Sequence, residues 1–318
     1  MSDSENENPI PAPNPDQDAE ASEAPQTPAC VEASAFASEP APLPAPASLA
    51  VAPVWHTVAL VVFVLGLAIR SAVRFSVDHG PANRLQSYAA TAGMELVLVA
   101  WVLFGLRLRH VSLRSVLGPF SFRPLALIRD AGVALVFWFA ALFVLGSLGL
   151  AWNGFEHSLR HEPQAVQQSK PSQTDSNQPP AVKPLGQGAI PIEPSQQEAL
   201  RALKVLAPDG AREMIAWALL CLLVGFCEEL VFRGYLQRQC IALAQGNELA
   251  GIAMSAAVFG SAHAYQGGRN VVLLAVFGAM FGVLAWMRRS LRAGMMAHSW
   301  HDLCAGFAIA LARNAHLI

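Results

Sequence analysis

Charge is scarce in this chain: 14 % of its 318 residues are Asp, Glu, Lys or Arg, against 53 % that are hydrophobic, and the mean hydropathy is +0.37. Soluble domains carry roughly 25 % charged residues, so the composition excludes an ordinary water-soluble domain and points to a membrane protein. Basic residues are missing altogether from positions 1–48, which hold nine acidic side chains. The rest of the chain then carries 21 basic residues against 14 acidic ones, so the formal net charge of −2 says nothing about partners. The first 30 residues have neither a basic start nor an apolar core. No cleavable signal peptide is therefore expected, and insertion falls to internal spans. The five cysteines, Cys30, Cys221, Cys227, Cys240 and Cys304, lack any CxxC spacing; in apolar runs a thiol serves as a small hydrophobe. There is also no HExxH, and no internal repeat of the kind that marks the inverted halves of a transporter.

Residues 1–50 are rich in Pro, Ala, Ser and Glu, with ten prolines before Leu49. Such a composition cannot bury enough apolar surface to offset the entropy of ordering, so a disordered acidic tail is expected. Residues 54–152 follow as three apolar spans, at 54–74, 88–106 and 130–152. Each has about 19 to 23 residues, enough to cross a ~30 Å hydrocarbon layer at ~1.5 Å per residue. Arg107, Arg109, Arg114, Arg123 and Arg129 crowd the connection between the second and third spans. The positive-inside rule makes that connection cytoplasmic and puts the amino terminus inside. Glu95, within the second span, is either a helper in a polar interior or a carboxylate bonded to a neighbouring helix.

Residues 153–212 turn polar, with eight prolines, and predict a flexible outer loop. Within it Ser195 and Glu198 form a capping-box pattern ahead of Leu200, Leu203 and Leu206, which suggests a short interfacial helix at 195–206. Residues 213–318 supply four more spans, at 213–236, 249–265, 270–287 and 292–313, with Arg288, Arg289 and Arg292 between the last two. The expected fold is thus all-α and polytopic, with about seven transmembrane helices and a polar catalytic cavity in the C-terminal core. Both arginine-rich connections fall on the cytoplasmic side of that arrangement.

Two carboxylates and a guanidinium interrupt the fourth span at Glu228, Glu229 and Arg233. Ionisable groups in a membrane helix are expensive to bury, and by default they mark a functional site. Glu229 and Arg233 are four apart with the acid on the amino-terminal side, the favoured orientation for a pair on one helix face. Glu228, about 100° around the helix, is left facing a cavity as the working carboxylate and general base. Phe259 and His263 close the fifth span. In the seventh, His298 and Asp302 share a helix face, and His301 stands close by as a bystander.

EExxxR (Glu228, Glu229, Arg233), FxxxH (Phe259, His263) and HxxxN/D (His298, Asp302) resemble the signature of the CPBP family of intramembrane endopeptidases. That family includes the type II CAAX prenyl endopeptidases and the bacteriocin-processing and immunity-associated Abi proteins. The resemblance covers 214–313, about a third of the chain. It implies an endopeptidase in a bacterial cytoplasmic membrane, acting on a membrane-associated peptide or protein, with the bilayer as its other partner and no nucleic acid. It further implies that Glu228 and His263 activate water while His298 and residue 302 orient the substrate carbonyl and stabilise its oxyanion. Glu229, Arg233 and Phe259 then support the site. Many relatives have Asn at the last position; Asp302 donates a hydrogen bond only when protonated, so holding the tautomer of His298 is an alternative role for it.

Two alternatives stand beside this reading. Glu228, His263 and His298 could instead ligate zinc with an open position, although a Glu228 ligand would no longer be the base, so no cofactor is favoured. A non-proteolytic scaffold or immunity-type protein would keep the same residues as polar glue between helices. Depth poses a further question: at ~1.5 Å per residue, Glu228 and His298 lie about 10 to 15 Å from the cytoplasmic ends of their helices, but His263 about 20 to 25 Å. The three meet only if the fifth span is tilted, is broken near Gly260, or starts later than residue 249.

Overall fold

The computed structural model of the protein describes residues 50–77, 83–119, 121–160 and 206–315. The expected acidic tail and the 195–206 helix fall almost wholly outside these residues. All regular structure among the described residues is helical: α1 (Val54–Val77), α2 (Arg84–Leu108), a short α3 (Leu113–Leu117) and α4 (Pro124–Arg160), then α5 (Gly210–Glu228). A π-helix (Glu229–Leu236) and α6 (Gln237–Leu243) continue directly from α5, followed by α7 (Glu248–Ala262), a 3-10 turn (Ala264–Gln266), α8 (Gly268–Arg288) and α9 (Arg292–Asn314). Starts are written locally. The side chains of Asn83, Ser112 and Asn247 accept from the backbone N–H three residues on, capping α2, α3 and α7.

Among the described residues, five segments are long and apolar enough to cross a membrane: Val54–Val73, Arg84–Leu108, Pro124–Leu159, Gly210–Leu243 and Gly268–Arg288. Only 11 % of the apolar window of α4 is buried, leaving Phe139, Phe143 and Leu150 on its outer surface. An apolar surface that large belongs in lipid, and the chain is a multi-pass membrane protein. Seven spans were expected, and the two that length and apolarity do not support are instructive. α7 has 15 residues, about 22 Å at ~1.5 Å per residue, short of a ~30 Å core. α9 is long enough at 23 residues, but His298, Ser299, His301 and Asp302 dilute its apolar character.

α4 overshoots its predicted span at both ends, so the loop expected from residue 153 does not begin before Arg160. Hydropathy marks what lipid covers, whereas the backbone ladder runs on through polar turns. There, on the added length, Trp152 Nε1 donates to Glu156 Oε1 at 2.8 Å, an i, i+4 pair typical of a helix surface.

Contacts between elements give the helices their directions. At one end, Arg84 at the start of α2 pairs with Glu213 at the start of α5 (3.3 Å), and Arg313 at the end of α9 donates to the Ala207 and Pro208 carbonyls. At the other end, buried Asp130 on α4 gathers Arg288 (2.8 Å) from α8 and Arg292 (3.2 Å) from α9. Leu291 N–H donates to Leu117 O at 3.1 Å, and Arg238 Nη2 to Val116 O at 3.4 Å. The two arginine-rich connections singled out in the sequence therefore meet at one end of the bundle.

α1 enters at that same end. The amides of Val51 and Ala52 donate to Gln239 Oε1 (2.7 and 3.2 Å), and Gln239 Nε2 donates back to Ala52 O at 2.8 Å. One turn further, His56 Nε2–H donates to Trp101 O (3.0 Å), which leaves Nδ1 to accept from the Tyr235 hydroxyl (2.6 Å). The Tyr235 oxygen in turn accepts from Thr57 at 2.8 Å. This buried chain ties α1 and α2 to the π-helix.

Candidate active site

The continuous rod from Gly210 to Leu243 changes character at Glu229, where eight residues adopt π-helical hydrogen bonding. π segments are rare and concentrate at functional sites. Here the segment carries Glu229 and Arg233, with Glu228 immediately ahead of it. Glu229 Oε1 and Arg233 Nη1 form an ion pair at 2.9 Å, and both side chains are buried. The pair expected from the i, i+4 spacing is present. Phe259 covers it from α7, its ring centroid 4.3 Å from the Arg233 guanidinium carbon, a cation–π contact in a desolvated setting.

His298 of α9 projects into this cluster. Its Nδ1 is 3.1 Å from Glu229 Oε1. Since a carboxylate only accepts, Nδ1 carries the hydrogen. Nε2 then faces Glu228 Oε2 at 3.5 Å and Asp302 Oδ2 at 3.8 Å. The imidazole is thus held at one nitrogen by Glu229, leaving the other between two carboxylates. Glu229, not Asp302, holds the tautomer, so a residue read as purely structural also orients the ring. α-Helical rotation alone separates Glu228 from Glu229; at the junction with the π-helix the two adjacent acids reach opposite nitrogens of one ring.

His263 ends α7 and caps it. Nδ1–H donates to Phe259 O at 2.9 Å, which leaves Nε2 as the free, accepting nitrogen. The Phe259 ring lies 4.9 Å from the His263 ring and 6.1 Å from that of His298. The Phe and His of the FxxxH pattern therefore work together: the Phe carbonyl fixes the tautomer of His263, and its ring forms the wall that both histidines share. The depth conflict is met by a break, because α7 stops at Ala262 and gives way to the 3-10 turn. His301 packs on Phe277 at 4.7 Å between centroids, away from the acids.

Close backbone approach makes this convergence possible. A Cβ on Gly225 would meet Ser299 and the Met295 carbonyl, so α5 and α9 touch without side chains between them. A Cβ on Gly294 would lie 2.9 Å from Glu229 Oε2. Trp217 on α5 donates to the Asp302 carbonyl at 3.3 Å, holding α9 one turn beyond His298. Sequence reasoning missed Trp217 and both glycines; in a helix otherwise made of Ala, Leu, Val and Cys, nothing marks a tryptophan or a glycine as a site residue.

Glu95 resolves toward the polar interior. It is buried on α2 and lies within electrostatic reach of Glu228, His298 and Asp302, with Oε2 lacking a hydrogen-bond partner among the described residues. Among those residues no group of three His, Cys, Asp or Glu side chains is arranged to hold a metal ion. Cys221, Cys227, Cys240 and Cys304 are free thiols.

Fold and site together define a class: a helical multi-pass membrane protein with a buried acid–histidine centre braced by an arginine. Within that class, residues 210–304 match the family model described as type II CAAX prenyl endopeptidase Rce1-like. The match runs from the start of α5 into α9 and contains every site residue named above except Glu95. Peptidase chemistry is the activity class that it supports. No curated protein and no solved structure matches the chain.

Proposed function

We propose that the protein is an intramembrane endopeptidase of the CAAX-protease-like type, in which Glu228 activates water without a metal. The observation that carries this reading is the ring of His298, fixed at Nδ1 by Glu229 and turned with Nε2 toward Glu228 and Asp302. Such a buried, braced centre suits hydrolysis. A carboxylate takes the proton of water as water attacks the peptide carbonyl, and fixed donors meet the charge that develops on the oxygen.

In this proposal Glu228 is the base and the accepting Nε2 of His263 helps to aim the water. His298, when doubly protonated, donates from Nε2 to the oxyanion, with Glu229, Glu228 and Asp302 as its counter-ions. Asp302 serves as one such counter-ion and not as an oxyanion donor, because an ionised carboxylate has no proton to give. Glu228 then returns its proton to the leaving amine. The substrate is a membrane-associated peptide or protein, prenylated or not. The arginine-rich end lies on the cytoplasmic side, placing the amino terminus inside, in accord with the excess of basic residues in both connections.

The test is cleavage of a membrane-anchored reporter by the purified chain in proteoliposomes, with and without a strong chelator. Cleavage that survives the chelator is expected. Loss under the chelator that is restored by zinc would replace the glutamate mechanism with a metal one. Absence of cleavage across a panel of prenylated and unprenylated reporters would leave the scaffold reading.

A further inference from the structure

A cavity of about 220 Å³ opens at the arginine-rich end, outside the acid–histidine cluster. Its lining includes Arg233, Arg238, Arg289, Ser290, Trp286 and one acid, Glu248. Three arginines thus line the cavity against one acid; the Arg233 side chain is buried, which leaves Arg238 and Arg289 to face an occupant. Arg233 is engaged by Glu229, and Arg238 reaches only a backbone carbonyl. Among the described residues, neither Arg238 nor Arg289 has a carboxylate within ion-pair distance. Arg289 also takes a left-handed conformation, with φ 50°. Non-glycine residues adopt that region at a cost, typically where the surroundings require it.

The surroundings are those of a membrane interface. Trp286 on the rim is half exposed, and the neighbouring Leu249 and Met287 present most of their surface. Aromatic rings gather at headgroup level, and basic pockets between membrane helices take phosphate headgroups. Guanidinium forks match phosphate oxygens geometrically, and a hydroxyl at Ser290 adds a further donor.

We infer that this cavity binds a phosphate-bearing anion, supplied either by the headgroup of an anionic phospholipid or by free phosphate. The inference does not depend on peptidase activity, since it stands on Arg238, Arg289 and the cavity alone. Because Arg233 forms part of the wall while holding Glu229, the occupant sits one guanidinium away from the cluster that orients His298.

Thermal unfolding of the full chain in neutral detergent tests it, with phosphatidylglycerol, phosphatidylcholine and inorganic phosphate titrated separately at constant ionic strength. Phosphatidylglycerol or phosphate should raise Tm in a saturable way by roughly 2–4 °C or more, as a ligand selective for the folded state does. Arg238→Gln/Arg289→Gln should lose that rise, and Arg289→Gln alone, at an exposed side chain, should weaken it. A rise with phosphatidylglycerol but not phosphate assigns the site to a lipid headgroup, and the reverse assigns it to the free anion. An equal rise with phosphatidylcholine, an undiminished rise in the variants, or no rise with either anion would overturn the inference.

Discussion

Glu228→Gln and Glu229→Gln, made one at a time, ask opposite things of adjacent residues. Glu229 is fully buried, and its Oε1 receives both Arg233 (2.9 Å) and His298 (3.1 Å). An amide at that position keeps an acceptor but removes the charge, leaving the buried Arg233 guanidinium without its counter-ion. Breaking a buried pair from one side costs about 3–5 kcal/mol. At about 2–4 °C per kcal/mol for a chain of this size, Tm should fall by roughly 6–20 °C. Glu228 differs. Its side chain is 13 % exposed and lies 3.5 Å from His298 Nε2; it also shares the cluster with the Glu95 carboxyl. Glu228 is one of three carboxylates around a single imidazole, so Glu229 and Asp302 remain as counter-ions and Glu228→Gln should hold Tm within about 2 °C.

Activity should move the other way. Loss of a general base lowers turnover by about 10²–10⁴, roughly 3–5.5 kcal/mol of barrier at 1.36 kcal/mol per decade. Tm followed by intrinsic tryptophan fluorescence, and kcat/KM on a reporter peptide in proteoliposomes, separate the two effects. Glu228→Gln retaining more than about a tenth of wild-type cleavage would remove it as the base. A fall in Tm for Glu228→Gln as deep as that for Glu229→Gln would refute the division of labour drawn from the geometry.

Gly294→Ala puts a methyl group where Glu229 Oε2 now stands 2.9 Å away; the carboxylate must shift while its other oxygen is tied to Arg233 and His298, so kcat/KM should drop about tenfold, with a stability loss of about 1–3 kcal/mol by thermal unfolding. Asp302→Asn, which supplies an amide donor near His298 Nε2, should keep cleavage within about tenfold of wild type, since only a counter-ion is lost; a variant as inactive as Glu228→Gln would mean that the carboxylate itself takes part in the chemistry. Tyr235→Phe strips the hydroxyl that joins His56 to Thr57 and should cost about 1–3 kcal/mol of stability, while cleavage per folded molecule stays unchanged.

How far the sequence could be read depended on which physical signal each feature left. Apolar length located α1, α2, α4, α8 and the rod through α5, because lipid contact demands it. The same signal is weaker at α7 and α9, where the helix is short or carries polar side chains. The Glu229–Arg233 pair was legible because i, i+4 spacing is a local property. The second duty of Glu229, orienting His298, was not legible, since it depends on a partner 69 residues away and on a π-helical turn that no residue pattern announces. His56 passed unnoticed in an apolar run, yet its bonds to Trp101 and Tyr235 tie together three elements that sequence reading left unconnected.

The proposed hydrolase must admit water to one point while lipid covers the rest, and the helices divide accordingly. α4 turns an apolar surface outward, as do large parts of α1 and α2. The acid–histidine cluster sits on the elements least suited to lipid: a π-helix, a helix of 15 residues and a helix diluted with polar side chains. The end of α7 makes the same point at the level of the backbone. Non-helical backbone at membrane depth survives only where protein or water satisfies it. Here the break is closed internally by His263 N–H to Gly260 O (3.1 Å), Gln266 N–H to His263 O (2.9 Å) and Asn270 Nδ2 to Gln266 O (3.1 Å). His263 stands at that break with Nε2 uncommitted to the backbone. An unbroken apolar helix would have turned this position toward its neighbours and sealed it, whereas a helix that stops there leaves Nε2 available for the part in aiming water that the proposal gives it. A 15-residue α7 thus suits the water-using site that the proposed function needs.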